Sequence, residues 1–74
     1  MPIIVRLDVM LAKRKMTSRE LATRIGLSEP NLSLLKSGKV RGVRFNTLEA
    51  ICEELNCQPG DLLEFQRVKE MDLD

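Results

Sequence analysis

The side chains that most often carry catalysis are scarce in this chain of 74 residues. It contains no histidine, and its two cysteines are Cys52 and Cys57. Without histidine there is no Ser-His-Asp or Cys-His centre, no imidazole general base and no mixed cysteine–histidine zinc site. Two cysteines are also too few to hold a structural zinc or to staple a secreted fold. We therefore predict no enzymatic activity, no cofactor and no bound metal.

The other feature that could support a function is charge, which is distributed unequally between the two halves of the chain. Residues 1–44 contain ten lysines and arginines against three acidic residues, a balance of +7. Residues 45–74 contain two basic and eight acidic residues, a balance of −6, and the whole chain carries only +1. This separation predicts one face that binds a polyanion and a second face with a different role.

Helical signals begin near the start of the chain. After an extended arm at residues 1–6, the apolar spacing predicts a first helix over residues 6–15. Thr17 and Glu20 form a capping-box signature for a second helix. Gly26 ends that helix, because glycine adopts the left-handed conformation at no steric cost.

Two more helices follow. Ser28 is the predicted cap of a third helix, with Pro30 in its first turn, where a missing amide hydrogen is no loss, and Gly38 at its end. Residues 46–49, Asn-Thr-Leu-Glu, form a second capping signature and predict the start of a fourth helix. Asn56 is expected to close it.

The last quarter of the chain predicts one helical turn at residues 58–63, a strand at residues 63–67 and a frayed acidic tail at residues 69–74. The longest apolar run is Val9-Met10-Leu11-Ala12, far short of the roughly 20 residues that span a bilayer. No signal peptide is recognisable. We expect a single domain over residues 1–74, located in the cytoplasm and not associated with a membrane.

The segment from the second to the third helix has the spacing of a helix-turn-helix. Two helices that cross steeply need a small residue where their backbones meet, and Ala22 occupies that position. The turn between them needs a left-handed residue, which is Gly26. The apolar residues expected to join the two helices are Leu21, Ile25, Leu27, Leu32 and Leu35.

These residues carry a family resemblance. The stretch SRELATRIGLSEPNLSLLKSGK, residues 18–39, resembles the helix-turn-helix of the lambda-repressor-like (Cro and XRE) family of bacterial and phage regulators. The continuation RFNTLEAICEELNCQPGDLLEF, residues 44–65, resembles a small subgroup with a CQPGD turn after the fourth helix. The resemblance covers residues 7–65. It implies an all-α, five-helix DNA-binding domain, with room for short terminal β-strands, whose third helix lies in the major groove of double-stranded DNA.

The resemblance also implies which residues contact DNA. The family positions that face base edges are occupied here by Glu29, Pro30, Asn31, Ser33 and Leu34. Asparagine can pair bidentately with adenine, glutamate can accept from cytosine, and apolar side chains can contact the thymine methyl group. The positions expected to contact phosphates are Ser18, Lys36, Lys39, Arg41, Arg44, Asn46 and Thr47.

The chain departs from the family pattern at one ion pair. Many members pair a basic residue in the first helix with an acidic residue at the end of the third, but the matching positions here are Leu11 and Lys36. Lys36 is then free to face DNA or to pair with Asp8, and the sequence does not decide between them. The basic stretches also lack aromatic residues, which argues against stacking on single-stranded nucleic acid.

Alternatives to a DNA-binding regulator differ in what they require. A protein-interaction module, for example an antitoxin-like partner, would keep the fold and lose affinity for DNA. Acidic Glu29 and apolar Leu34 favour that alternative, whereas the basic loop after the third helix favours DNA. A small enzyme would need a clustered acid, base or nucleophile, and the sequence contains none. No small-molecule effector is evident.

The partners predicted are therefore double-stranded DNA and a second copy of the chain. One reading helix reaches too few base pairs to single out a genomic site, which favours a homodimer. The terminal strands, near residues 3–6 and 63–67, can pair with each other or across a dimer axis. These strands and the outer face of the fourth helix are the candidate dimer contacts.

Overall fold

The computed structural model describes residues 3–67 as five helices and two short strands. In chain order the elements are β1 (Ile3–Val5), α1 (Leu7–Arg14), α2 (Ser18–Ile25), α3 (Glu29–Lys36), α4 (Phe45–Leu55), α5 (Pro59–Leu62) and β2 (Leu63–Phe65). The predicted five-helix fold with terminal strands is confirmed. The tail predicted at residues 69–74 lies outside the described residues.

An aliphatic core joins all five helices. Its members are Leu7, Met10, Leu11, Leu21, Ala22, Leu32, Leu35, Ile51, Leu55 and Leu62. Burial of one such leucine contributes about 1.5–3 kcal/mol relative to exposure. Within residues 3–67 no polar or charged side chain is buried. Ala22 is 2% exposed, as a small residue at a helix crossing requires.

The four longer helices end in the same way. Each is followed by a residue of positive φ, namely Lys15 (55°), Gly26 (73°), Gly38 (76°) and Asn56 (50°). The next amide then donates to the carbonyl five residues back, in the pairs Met16–Leu11 (3.0 Å), Leu27–Ala22 (2.9 Å), Lys39–Leu34 (3.0 Å) and Cys57–Cys52 (3.0 Å). This Schellman arrangement satisfies carbonyls that the helix leaves unpaired. Gly26, Gly38 and Asn56 were predicted helix ends; the left-handed Lys15 was not.

Two predicted helix starts are confirmed and one is wrong. Thr17 Oγ1 accepts from the Glu20 amide over 3.1 Å, the Glu20 carboxylate accepts from the Thr17 amide over 3.1 Å, and Ser28 Oγ accepts from an amide of α3 over 3.3 Å. The fourth helix, however, is not capped at residues 46–49. Its N-cap is Arg44, which makes no side-chain capping bond.

The earlier start of α4 has a backbone cause. Val43 packs against the core and fixes where the chain enters the helix. Arg44 is extended, with φ −71° and ψ 144°, and its carbonyl already accepts from the Leu48 amide over 2.9 Å. The first amides of the exposed helix end can be hydrated, so a side-chain cap is not obligatory.

The two strands pair with each other in an antiparallel ribbon. Ile3 lies opposite Phe65 and Val5 opposite Leu63. Of the two pairings left open by the sequence, the one within the chain is therefore observed. The ribbon is poorly covered at its open end, where Ile3 is 48% exposed and Phe65 is 62% exposed.

Candidate nucleic-acid interface

The third helix turns one side to the core and leaves the other to solvent. Leu32 and Leu35 are buried. All five residues predicted to face base edges are exposed: Glu29, Pro30, Asn31, Ser33 and Leu34. Leu34 is the apolar member of this stripe, at 46% exposure. The stripe is therefore free to contact a partner along two turns of helix.

A depression of about 410 Å³ connects α3 to the start of α4. Asn31 and Leu34 line it on the α3 side, and Arg44 and Thr47 line it on the α4 side. Two predicted base-facing residues and two predicted phosphate-contacting residues thus share one concave surface. The loop between the helices supplies the floor through Val40, Gly42 and Val43.

Ser18 and Lys36 come together although they are far apart in the chain. The Lys36 ammonium donates to Ser18 Oγ over 3.1 Å, and this bond is partly buried. Of the two options left open by the sequence, the ion pair with Asp8 is not observed among residues 3–67, and contact with DNA stays a prediction. Ser18 is the first residue of α2, so the Lys36 ammonium from the end of α3 lies beside a helix N-terminus, where unpaired backbone amides and the helix dipole favour an anion.

Glu29 is engaged by a residue that the sequence analysis did not select. Arg19 Nε donates to Glu29 Oε2 over 2.7 Å. The hydrogen bond to Glu29 and then its negative charge raise the pKa of the Arg19 guanidinium above its ordinary value. This pair joins the first turns of α2 and α3 at the edge of the exposed stripe. The sequence signal that could have identified this ion pair is the opposite charge of two residues at the starts of adjacent helices.

The loop after α3 and the α4 N-cap carry three basic side chains beside the exposed stripe. Within residues 3–67, Lys39, Arg41 and Arg44 are exposed and form no ion pair. Arg41 is set apart from the Asn31 depression, because it lines a neighbouring apolar hollow beside β1 and β2. The three side chains therefore form a basic rim that extends from α3 towards the ribbon.

Other arginines are committed to the fold. Arg14 donates to the carbonyls of Leu55 (2.6 Å) and Asn56 (3.0 Å) at the end of α4. Arg24 pairs with Glu54 over 3.4 Å. These contacts tie Arg14 and Arg24 to the acidic end of α4, so the two side chains are less available to a partner than the basic rim.

The first turn of α4 adds a further residue that sequence analysis missed. Phe45 is 86% exposed, between Arg44 and Asn46, which is also exposed. Thr47 is half-buried. Burial of an aromatic side chain is favourable, so a ring this exposed at the edge of the basic rim is unusual.

The described residues offer few other functional sites. Among residues 3–67 there is no cluster of three or more potential metal ligands. No helix in the same range is long and apolar enough to cross a membrane.

Comparison with known proteins agrees with this geometry. Residues 6–67 match the Cro/C1-type helix-turn-helix DNA-binding domain. The chain is 58% identical over 66 residues to the uncharacterised HTH-type transcriptional regulator YozG of Bacillus subtilis (strain 168), covering 89% of this chain and 79% of YozG.

A solved structure has the same fold. The crystal structure of a proposed DNA-binding protein from Bacteroides fragilis superposes with a TM-score of 0.74 at 32% sequence identity, covering 84% of this chain and 98% of that one. With a family match over most of its length and a close relative named as a regulator, the chain belongs to the Cro/C1-type helix-turn-helix family of DNA-binding transcriptional regulators.

Proposed function

We propose that the protein binds double-stranded DNA sequence-specifically, with α3 in the major groove and the basic rim on the flanking phosphates. The observation that carries this proposal is the depression in which Asn31 and Leu34 of α3 meet Arg44 and Thr47 of α4. A helix with its side chains is about 10–12 Å across, and the major groove is about 12 Å wide. An exposed, eight-residue α3 suits that groove in size.

Base recognition is assigned to the exposed stripe of α3. Asn31 pairs with adenine through its amide, and Ser33 donates to or accepts from several bases. Pro30 and Leu34 contact thymine methyl groups. Glu29 has two possible partners, the cytosine amino group and Arg19, and its ion pair with Arg19 keeps its charge from repelling the backbone.

Phosphate contacts are assigned to residues on both sides of that stripe. Ser18 and Lys36, already hydrogen-bonded to each other, hold one phosphate at the N-terminus of α2. Lys39, Arg41 and Arg44 bind the backbone after α3. Asn46 and Thr47 add hydrogen bonds at the start of α4. Such contacts fix the register of α3 without reading sequence themselves.

The functional unit in this proposal is a homodimer on a pseudo-palindromic site. Two reading helices that enter successive major grooves are about 34 Å apart. The contact between copies is assigned to the ribbon, where Ile3 and Phe65 are exposed, together with the outer face of α4. Binding to chromosomal DNA also assigns the protein to the cytoplasm.

Selection from a random pool of duplex DNA tests the proposal. We expect enrichment of a short motif repeated with two-fold symmetry, and sedimentation of the free protein as a dimer at micromolar concentration. Insertion of five base pairs between the half-sites is expected to abolish tight binding, because it turns the second site to the opposite side of the duplex. A pool that remains random after selection would contradict sequence-specific binding. Full affinity for one unrepeated half-site would contradict the dimer.

A further inference from the structure

Cys52 and Cys57 meet at the C-terminal end of α4. The Cys57 amide donates to the Cys52 carbonyl over 3.0 Å, and Asn56 between them has a φ of 50°. In this type of helix ending, the side chains of the two residues joined by the six-residue hydrogen bond frequently contact each other. Both cysteines are free thiols and half-buried.

The same hydrogen bond limits how far apart the two residues can be. With standard bond lengths, an amide–carbonyl bond of this length keeps the two Cα atoms within about 7 Å even when fully extended. The turn around Asn56 is bent, which shortens the separation further. Disulfides need Cα atoms about 4.4–6.8 Å apart, so a bond between these cysteines needs little backbone movement.

In the single chain the thiols are also reachable from solvent. Cys52 and Cys57 line an open groove of about 640 Å³ on the outside of α4, together with Phe45, Leu48 and Pro59. Burial, followed by the adjacent Cys52 thiol, raises the pKa of the Cys57 thiol. Attack by the Cys57 thiolate is therefore expected to accelerate as the pH rises.

Side-chain packing does not by itself require cysteine at this helix end. The equivalent contact positions are Leu11 and Met16 after α1, Ala22 and Leu27 after α2, and Leu34 and Lys39 after α3. Leucine, methionine, alanine and lysine occupy these positions, and none of the three cases uses a cysteine. The end of α4 has the same backbone arrangement and differs in presenting two thiols.

We propose that Cys52 and Cys57 form a reversible dithiol–disulfide site whose substrate is a low-molecular-weight disulfide. In the first step one cysteine thiolate attacks a sulfur of oxidised glutathione, forms a mixed disulfide and releases one glutathione thiolate, which takes up a proton. In the second step the other cysteine thiolate attacks the cysteine sulfur of that mixed disulfide and releases the second glutathione. Two electrons and two protons leave the protein, two glutathione molecules are formed, and the site ends as an intramolecular disulfide.

Mass spectrometry with oxidised glutathione as the probe tests this site. The reduced chain is expected to accept two alkyl groups from iodoacetamide. After oxidation it is expected to be about 2 Da lighter, to accept none and to recover both on treatment with dithiothreitol. The Cys52→Ser and Cys57→Ser variants lack the second thiol, so each is expected to stop at the glutathione adduct. A wild-type chain that stops at the same adduct, or that links to a second chain on a non-reducing gel, would overturn the proposal.

Comparing folded with unfolded protein tests whether the fold brings the two thiols together or whether their closeness in sequence is sufficient for the disulfide to form. The equilibrium constant for forming the Cys52–Cys57 disulfide is measured in glutathione redox mixtures. We expect it to be at least about tenfold higher for the folded chain than for the chain unfolded in concentrated urea. Equal or lower values in the folded chain would overturn the inference. Circular dichroism of the oxidised chain in buffer should retain the helical spectrum, and loss of helix on oxidation would equally contradict it.

Discussion

The outer surfaces of α3 and α4 cover the same core but differ in charge. Both helices bury aliphatic residues, such as Leu32 in α3 and Ile51 in α4. The α3 surface, which comprises the exposed stripe and the basic rim, has three cations without ion pairs among residues 3–67. The α4 surface presents Glu49, Glu53 and Glu54. The two helices therefore share one core, and exposed charge distinguishes the surface proposed to bind DNA from the opposite one.

The salt dependence of DNA binding is the largest effect expected from this difference. If a dimer neutralises about 6–10 phosphates, its affinity should fall by about 10³–10⁵-fold between 50 and 200 mM salt. Fluorescence anisotropy with a labelled duplex measures this slope. An affinity that stays constant over the range would mean that the α3 surface does not bind phosphates.

Overpacking the shared core should affect both surfaces together. Ala22 is 2% exposed, so Ala22→Leu is expected to lower the free energy of unfolding by about 1–3 kcal/mol. Urea titration followed by circular dichroism measures the change. Ala12→Leu is the matched control, because Ala12 is exposed on α1 and its replacement should alter stability by less than about 0.5 kcal/mol. Equal effects of the two substitutions would contradict a tight crossing at Ala22.

Removing one negative charge from each surface should change the affinity for DNA by unequal amounts. Glu29→Gln releases Arg19 from its ion pair and should increase affinity for random duplex by up to about tenfold, because one more cation can reach a phosphate. Glu53→Gln, on the α4 surface, should change affinity by less than about twofold, since exposed charges beyond a Debye length are screened. A larger gain from Glu53→Gln would reverse the assignment of the two surfaces.

The capping box beside the α3 surface should have a smaller, purely structural effect. Thr17→Ala removes the acceptor of the Glu20 amide and should cost about 1 kcal/mol of stability. Thr23→Ala, at an exposed interior position of α2, should be neutral or slightly stabilising, since alanine is the better helix former. Thermal unfolding of the two variants distinguishes these outcomes, and a stable Thr17→Ala variant would show that the cap is dispensable.

Features determined by neighbouring residues were predictable from the sequence. The capping box at Thr17, the cap at Ser28 and the left-handed glycines at Gly26 and Gly38 depend on chemistry within one helical turn. The buried side of α3 followed from the apolar spacing of Leu32 and Leu35, whereas the residues of the exposed stripe were expected from the family resemblance.

Features determined by distant parts of the chain were not predictable from the sequence. The Lys36–Ser18 bond and the Arg19–Glu29 ion pair join two helices, so no local pattern specifies them. The start of α4 was misplaced because Asn46 and Thr47 are good capping residues, whereas packing of Val43 sets the chain entry in the folded protein. Tertiary contact overrode the local preference there.

The central claim, that α3 reads sequence while the basic rim supplies affinity, is tested most directly by comparing specific and random DNA binding in two variants. On the best selected site, Asn31→Ala should lose about 1–3 kcal/mol of binding free energy and should bind random duplex almost unchanged. Arg44→Ala, from the same depression, should weaken binding to both duplexes by the same factor and reduce the salt slope by about two, one for each copy in the dimer. Equal losses of specificity in both variants, or an undiminished preference in Asn31→Ala, would contradict the claim.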